Sequence, residues 1–173
     1  MRYLLIVENP GYTVKNRPHL LKELRAHLPV IALRIATRHI EVDVKGADPQ
    51  EARKIVERIL GGSVVEVVDI TFEEVKSGVE DYVRLFNQER FWEAHNALEG
   101  LWRSTRNPTL QGLIMLAAAF VKLQEGQLDK FETLIKEAVG LITEDVGCIR
   151  AKELREKALA ALVQKAPFRI ECS

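Results

Sequence analysis

Residues 30–70 read VIALRIATRHIEVDVKGADPQEARKIVERILGGSVVEVVDI. Within them HIEVDVK alternates, with Ile40, Val42 and Val44 on one side and His39, Glu41, Asp43 and Lys45 on the other. That period predicts a strand with one face in the core and one in water. VIALRIA is a second β-rich run, and only Thr37 and Arg38 part the two, so a hairpin is expected. DPQEARKIVERILGG then reads as a complete helix. Asp48 is the cap, Pro49 takes the first helical position, and Glu51 can reach back to the cap. Ala52, Ile55, Val56 and Ile59 form its apolar stripe, and Gly61 and Gly62 end it. SVVEVVDI supplies another strand.

Working outward, RYLLIVE near the N-terminus is a strand, and NRPHLLKELRAHL places Leu20, Leu21, Leu24 and Leu28 at helical spacing. The first 70 residues thus run β-α-β-β-α-β, the ferredoxin-like order, with both helices on one face of an antiparallel sheet. Downstream the pattern turns helical. TFEE and SGVE read as capping boxes, pairing Thr71 with Glu74 and Ser77 with Glu80. Val79, Tyr82, Val83 and Phe86 form one stripe. Further helices are expected over Phe91–Ser104, from Asn107–Pro108 to Gln124, over 128–142, and over 147–163 with Ala151, Leu154, Ala158 and Leu162 inward. The tail APFRIECS fits no pattern. The expected class is α+β, with a ferredoxin-like domain at 1–71 and an all-α bundle of about five helices at 72–173.

An echo at an offset of 37 aligns Phe91 with Leu128, Ala94 with Phe131, Leu98 with Ile135 and Leu101 with Ala138. Two helix hairpins of tetratricopeptide type would produce it. Chance similarity of two amphipathic helices would produce it equally well.

The 173 residues are 47% hydrophobic and 29% charged, a globular composition. Basic and acidic residues number 12 and 11 up to residue 77, and 13 and 14 beyond it. Neither part carries the basic excess that nucleic-acid backbones require, so no nucleic-acid partner is expected. The first apolar run is too short for a signal peptide, and Leu113–Val121 is about half a membrane span. Cys148 and Cys172 have no metal-ligand spacing, and two reduced thiols in a cytoplasmic protein are the simplest expectation.

FWEAHNALEGLW, residues 91–102, contains both tryptophans of the chain and one of its four histidines. At 100° per residue, Phe91, Ala94, Ala97, Leu98 and Leu101 form the buried face. Trp92, His95, Glu99 and Trp102 make a stripe along its border, and Glu93 stands apart in the first turn. On a border stripe, a carboxylate beside an imidazole would orient the ring and leave one nitrogen to take a proton or bind a metal. The plainer reading is an i,i+4 pair worth a few tenths of a kcal/mol. Glu99 could also pair with Arg103. In the next helix, LQGLIMLAAAFV, Gln111 is the only polar side chain. A helix apolar all round is central, and a buried Gln111 would need partners, with His95 and Glu99 as the nearest on an antiparallel neighbour. Gly112 and Ala117–Ala119 permit close approach by neighbouring helices.

The two helices resemble the helical domain-of-unknown-function family 309. Its pattern E-A-H-x-x-L-E-x-x-W matches Glu93, Ala94, His95, Leu98, Glu99 and Trp102. Its second pattern, Q-G-x-I-x-x-A-A, matches Gln111, Gly112, Ile114, Ala117 and Ala118. The resemblance spans roughly residues 79 to 142 and implies an all-α fold without an established activity.

Elsewhere, the loop NPGYTVKNRPH offers Gly11, Lys15 and Arg17 before a helix start but no phosphate-loop pattern. The polar face of HIEVDVK offers no aromatic residue, so an RNA-binding sheet is not expected. His19, His27 and His39 are scattered. Two functions remain. One is a binding module for a small molecule or a protein, with Trp92, Glu93, His95, Glu99, Trp102 and Gln111 lining a cleft and no cofactor. The other is a hydrolase-like enzyme, with or without a metal, using His95 and Glu99 as ligand or base and Glu93 and Gln111 as support, although two ligands are too few for a typical zinc site. Ferredoxin-like domains often pair through sheet edges or faces, so a homo-oligomer is compatible with either.

Overall fold

In the computed structural model of the chain, residues 1–72 and 78–172 are described. They fall into two compact units, Met1–Glu73 with Gln124–Gly126, and Glu74–Leu123 with Gln127–Ser173. The two expected capping boxes rest partly on Glu74 and Ser77 and lie outside the described residues.

The first unit contains β1 (Arg2–Glu8), α1 (Arg17–Arg25), β2 (Val30–Ile35), β3 (His39–Lys45), α2 (Pro49–Leu60) and β4 (Val64–Asp69). Its sheet is antiparallel with strand order β2-β3-β1-β4, the ferredoxin-like arrangement. Ile35 pairs with Ile40, and the Ala36 amide bonds to the His39 carbonyl, so Thr37 and Arg38 are the two-residue turn. α1 and α2 cover one sheet face, burying Leu20, Leu24, Ala52, Val56 and Leu60 against Leu5, Leu33, Ile40, Val42 and Val44. On α2 the buried stripe is Ala52, Val56 and Leu60, while Ile55 and Ile59 lie at its margin. The Asp48 carboxylate accepts the Glu51 amide, and Gly61 closes the helix at φ +80°. Gly62 is needed for a second reason: a Cβ there would strike the Glu8 carbonyl.

One expectation fails on β3. The middle of its polar side does not face water: Glu41 and Asp43 are fully buried, as is Arg34 on β2, and only Lys45 at the end is exposed. Leu4 and Ile6, on the same side of β1, are buried too. Strand alternation records which residues share a face, and a face carrying carboxylates can be buried when each carboxylate has a cation. Arg34 lies directly across from Glu41 and donates Nε to its Oε1 at 2.8 Å. His39 Nε2 is 2.9 Å from Oε2. Arg2 grips Asp43 with Nε and Nη2 at 2.9 and 2.6 Å. Burial by itself would raise the Glu41 carboxyl. The Arg34 charge and the His39 contact outweigh it and hold Glu41 below the usual carboxylate range.

The second unit is built from α3 (Val79–Asn87), α4 (Phe91–Thr105), α5 (Pro108–Gln124), α6 (Leu128–Leu141) and α7 (Ala151–Gln164). The echo at 37 is structural. The α3–α4 and α5–α6 turns have the same backbone: a positive φ at Glu89 and Gly126 (57° and 73°), then Arg90 and Gln127 near φ −93°, ψ 64° and φ −97°, ψ 74°. Each closes with a bond from residue i to i−5, Arg90 to Leu85 and Gln127 to Lys122, both 2.9 Å. At the inner positions Ala94 and Phe131, and Leu98 and Ile135, are fully buried. The outer positions differ, because Leu101 is 38% exposed whereas Ala138 is buried. Leu101 therefore lies outside the buried face of α4, contrary to expectation.

Phe120 is the centre of this core, within 4.9–5.7 Å of the rings of Phe86, Phe91, Phe131 and Phe168. Phe91 opens α4 and Phe120 stands near the end of α5, so these helices run antiparallel. No residue of α5 from Thr109 to Gln124 is exposed, in keeping with its central place. The buried Thr109 hydroxyl accepts the amides of Thr143 and Glu144 and so holds the chain beyond α6. The Tyr82 hydroxyl donates to the Leu113 carbonyl at 2.6 Å, and burial pushes its titration well above the ordinary range.

α7 begins at Ala151, later than expected, because Val146–Ile149 forms a tight turn closed by two reciprocal amide–carbonyl bonds. The tail that the sequence could not place is a strap. Phe168 meets Phe86 and Phe120, Ile170 is buried, and the Asn87 amide bonds both main-chain groups of Ile170 at 3.0 and 2.7 Å. Lys157 donates to the Arg169 carbonyl at 2.9 Å. Beyond it, Cys172 is disulfide-bonded to Cys148, with Cα atoms 4.8 Å apart, which corrects the expectation of two free thiols. The two cysteines are 24 positions apart, so in the chain-entropy view the cross-link contributes about 3–4 kcal/mol. Among the described residues no helix is long and apolar enough to cross a membrane.

Candidate functional site

α4 carries the candidate site because its sequence has two polarities. Phe91, Ala94, Ala97 and Leu98 turn into the core. The border stripe Trp92, His95, Glu99 and Trp102 is half-buried throughout, with both indoles packed against the edge of the core.

His95 Nε2 stands 3.5 Å from Glu99 Oε1, one turn on, and His95 Nδ1 is 3.1 Å from Asn96 Oδ1. Both ring nitrogens therefore face side-chain groups of α4 itself. Arg103 Nη2 donates to Glu99 Oε2 at 3.1 Å, so Glu99 is shared between His95 and Arg103 along one side of the helix. Arg106, in the left-handed conformation that ends α4, places its guanidinium carbon 4.6 Å over the Trp102 ring. The stripe therefore runs from an indole through an imidazole and a carboxylate, which Arg103 meets, to a second indole covered by the Arg106 guanidinium. Arg103 is 68% exposed.

Two candidates stand apart from this row. Glu93 receives two bonds from Arg90, at 2.6 and 2.8 Å, which fixes the first turn of α4. Gln111 is half-buried, and among the described residues no hydrogen bond joins its side chain to His95 or Glu99. The antiparallel pairing explains this. Counted from the turn at Arg106–Asn107, Gln111 comes level with Trp102, and His95 is seven residues away, roughly 10 Å along the axis at 1.5 Å per residue. Gly112, next to it, is a packing position: a Cβ there would lie 2.7 Å from Ile142 Cγ1 and 3.1 Å from the Ala138 carbonyl.

This pair of helices lies in the stretch of the chain that matches a known family model. Residues 79–134 match the model of DUF309, a domain of unknown function. No curated protein and no solved structure matches the chain. The DUF309 segment covers α3, α4, α5 and the first half of α6, and so contains the whole stripe. Its motif residues divide by role. Ala94, Leu98, Gly112 and Ala117 are buried in packing, whereas His95, Glu99 and Trp102 are partly open to solvent.

The sequence anticipated Arg103 as the i+4 partner of Glu99 but not Asn96 or Arg106 as members of the site. Arg106 was not legible, because its place over Trp102 depends on the left-handed end of the helix. Among the described residues, no group of three or more His, Cys, Asp or Glu side chains is spaced to hold a metal ion.

Proposed function

We propose that the helical unit is a binding module whose α4 stripe receives a small molecule or a protein segment with an apolar, flat body and an anionic group. The half-buried indoles of Trp92 and Trp102 would take the apolar part, as such rings do at interfaces. Arg103 and Arg106 would meet the anion, since guanidinium groups match carboxylate and phosphate geometry. His95 and Glu99 then serve as the polar floor. The observation that carries this reading is the row itself: both tryptophans of the chain, a histidine and a glutamate, all half-buried at 3-4-3 spacing, with two arginines at one end. Binding is favoured over hydrolysis because each ring nitrogen of His95 already faces a side-chain oxygen on its own helix, which leaves no nitrogen directed outward for a metal or an attacking water.

The test uses the fact that both tryptophans of the chain belong to the stripe. Tryptophan emission is followed while a panel of aromatic carboxylates and short acidic peptides is titrated in. Saturable quenching or a blue shift is expected with at least one class, lost in Trp102→Ala and weakened at least tenfold in Arg103→Glu. Emission unchanged across the panel, or binding that persists in both variants, refutes the assignment. His95→Ala should shift stability by no more than about 0.5 kcal/mol, as for an i,i+4 pair that remains partly open to water.

A further inference from the structure

The C-terminal strap is held at Cys172 by a bond that chemistry can open. Cys172 is exposed and Cys148 is half-exposed on the turn before α7, so small thiols and disulfides can reach the bond. The helices already bury a continuous core from Tyr82 to Ala161. The strap adds Phe168 and Ile170 at its edge, and it has non-covalent anchors of its own: the two Asn87 bonds to Ile170, the Phe168 ring on Phe86 and Phe120, and the Lys157 bond to Arg169. These anchors keep the two sulfurs near one another when the bond is open, so closure is intramolecular and favoured by a high effective concentration.

We propose that Cys148 and Cys172 are a site of reversible thiol–disulfide exchange with low-molecular-weight disulfides of the glutathione type, and that the exchange sets how firmly the strap lies on the helices. Closure is balanced in two steps. One protein thiolate attacks the small disulfide and forms a mixed disulfide, releasing one small thiol. The second protein thiolate then attacks the protein-side sulfur and releases the other. Two protein thiols lose two electrons and two protons, and one small disulfide becomes two small thiols. Opening is the reverse. Because closure and strap docking favour each other, the coupling is reciprocal: loosening the strap must make the bond easier to reduce by the same factor.

The full chain is equilibrated in glutathione buffers from fully reduced to fully oxidised. Thiols are then trapped by alkylation and counted by mass, and amide exchange is followed in parallel. The expected result is a reversible conversion within that range. On reduction, protection should fall at residues 166–172 while α3–α6 stay protected. Asn87→Ala should lower the ratio of disulfide to dithiol at a fixed buffer roughly tenfold, the equivalent of two lost hydrogen bonds. Cys172→Ser should show the reduced exchange pattern in every buffer. Four outcomes each overturn the proposal: a disulfide that never forms, one that glutathione cannot open, reduction that unfolds the helices as a whole, or strap protection indifferent to the bond.

Discussion

Three glycines within helices of the second unit differ in what surrounds them, and alanine at each isolates a packing energy. A Cβ at Gly100 or Gly140 would have nothing within 4 Å. There, alanine recovers only helix propensity, about 0.8–1.0 kcal/mol. A Cβ at Gly112 would lie 2.7 Å from Ile142 Cγ1 and 3.1 Å from both the Ala138 carbonyl and Leu141 Cβ. The isoleucine can turn aside. The carbonyl belongs to α6 and moves only with its helix, so the overlap costs about 1–3 kcal/mol, as overpacking of a filled core does. The propensity gain is common to all three and cancels in the comparison. Gly140→Ala should therefore be more stable than the parent, and Gly112→Ala should lie about 1–3 kcal/mol below Gly140→Ala. Urea unfolding followed by tryptophan emission measures this cleanly, because Trp92 and Trp102 both report on the helical unit. The midpoints should move with the slope unchanged. If Gly112→Ala and Gly140→Ala agree within about 0.3 kcal/mol, the close approach of α5 and α6 is not what makes Gly112 a glycine.

Other measurements bear on the buried charges and on the core. The Glu41 carboxyl titrates below its unfolded value, so its contribution to stability is fully present above the unfolded pKa of roughly 4.3 and is lost as pH falls through the lower folded value. Stability of the parent should decline with acidification below about pH 4.5 more steeply than that of Glu41→Gln, and equal slopes would contradict the pairing with Arg34 and His39. At neutral pH the same substitution leaves Arg34 without its carboxylate and should cost about 3–5 kcal/mol by urea unfolding. Tyr82→Phe removes one buried hydrogen bond to the Leu113 carbonyl and should cost about 0.5–1.5 kcal/mol, with no change in the far-ultraviolet circular dichroism.

How far the candidate site was legible follows from the range of the forces involved. The stripe Trp92, His95, Glu99 and Trp102 was readable because residues three and four apart on a helix must be neighbours, and His95 and Glu99 do meet. Gln111 was misjudged because pairing across helices depends on level as well as on polarity, and level is set by the length of the turn between them. The water-facing reading of Glu41 and Asp43 failed for a similar reason. Alternation assigns a side of the sheet, but whether that side is dry depends on what lies over it.

The amino-acid sequence by itself determined the order of strands and helices, the ferredoxin-like connectivity and the helix ends at Asp48 and Gly61, and it offered the echo at an offset of 37 that the turn geometry turned into a repeated hairpin. All of these rest on contacts within a few residues or on periodicities of 2 and 3.6, which a chain carries locally. The tertiary structure alone decided the burial of the Arg34–Glu41–His39 and Arg2–Asp43 groups, the docking of the strap by Asn87 and Phe168, and the joining of Cys148 to Cys172. Those contacts bring together residues up to 83 positions apart. No local pattern encodes such a meeting. It exists only once the helices have packed and fixed where distant parts of the chain come to rest.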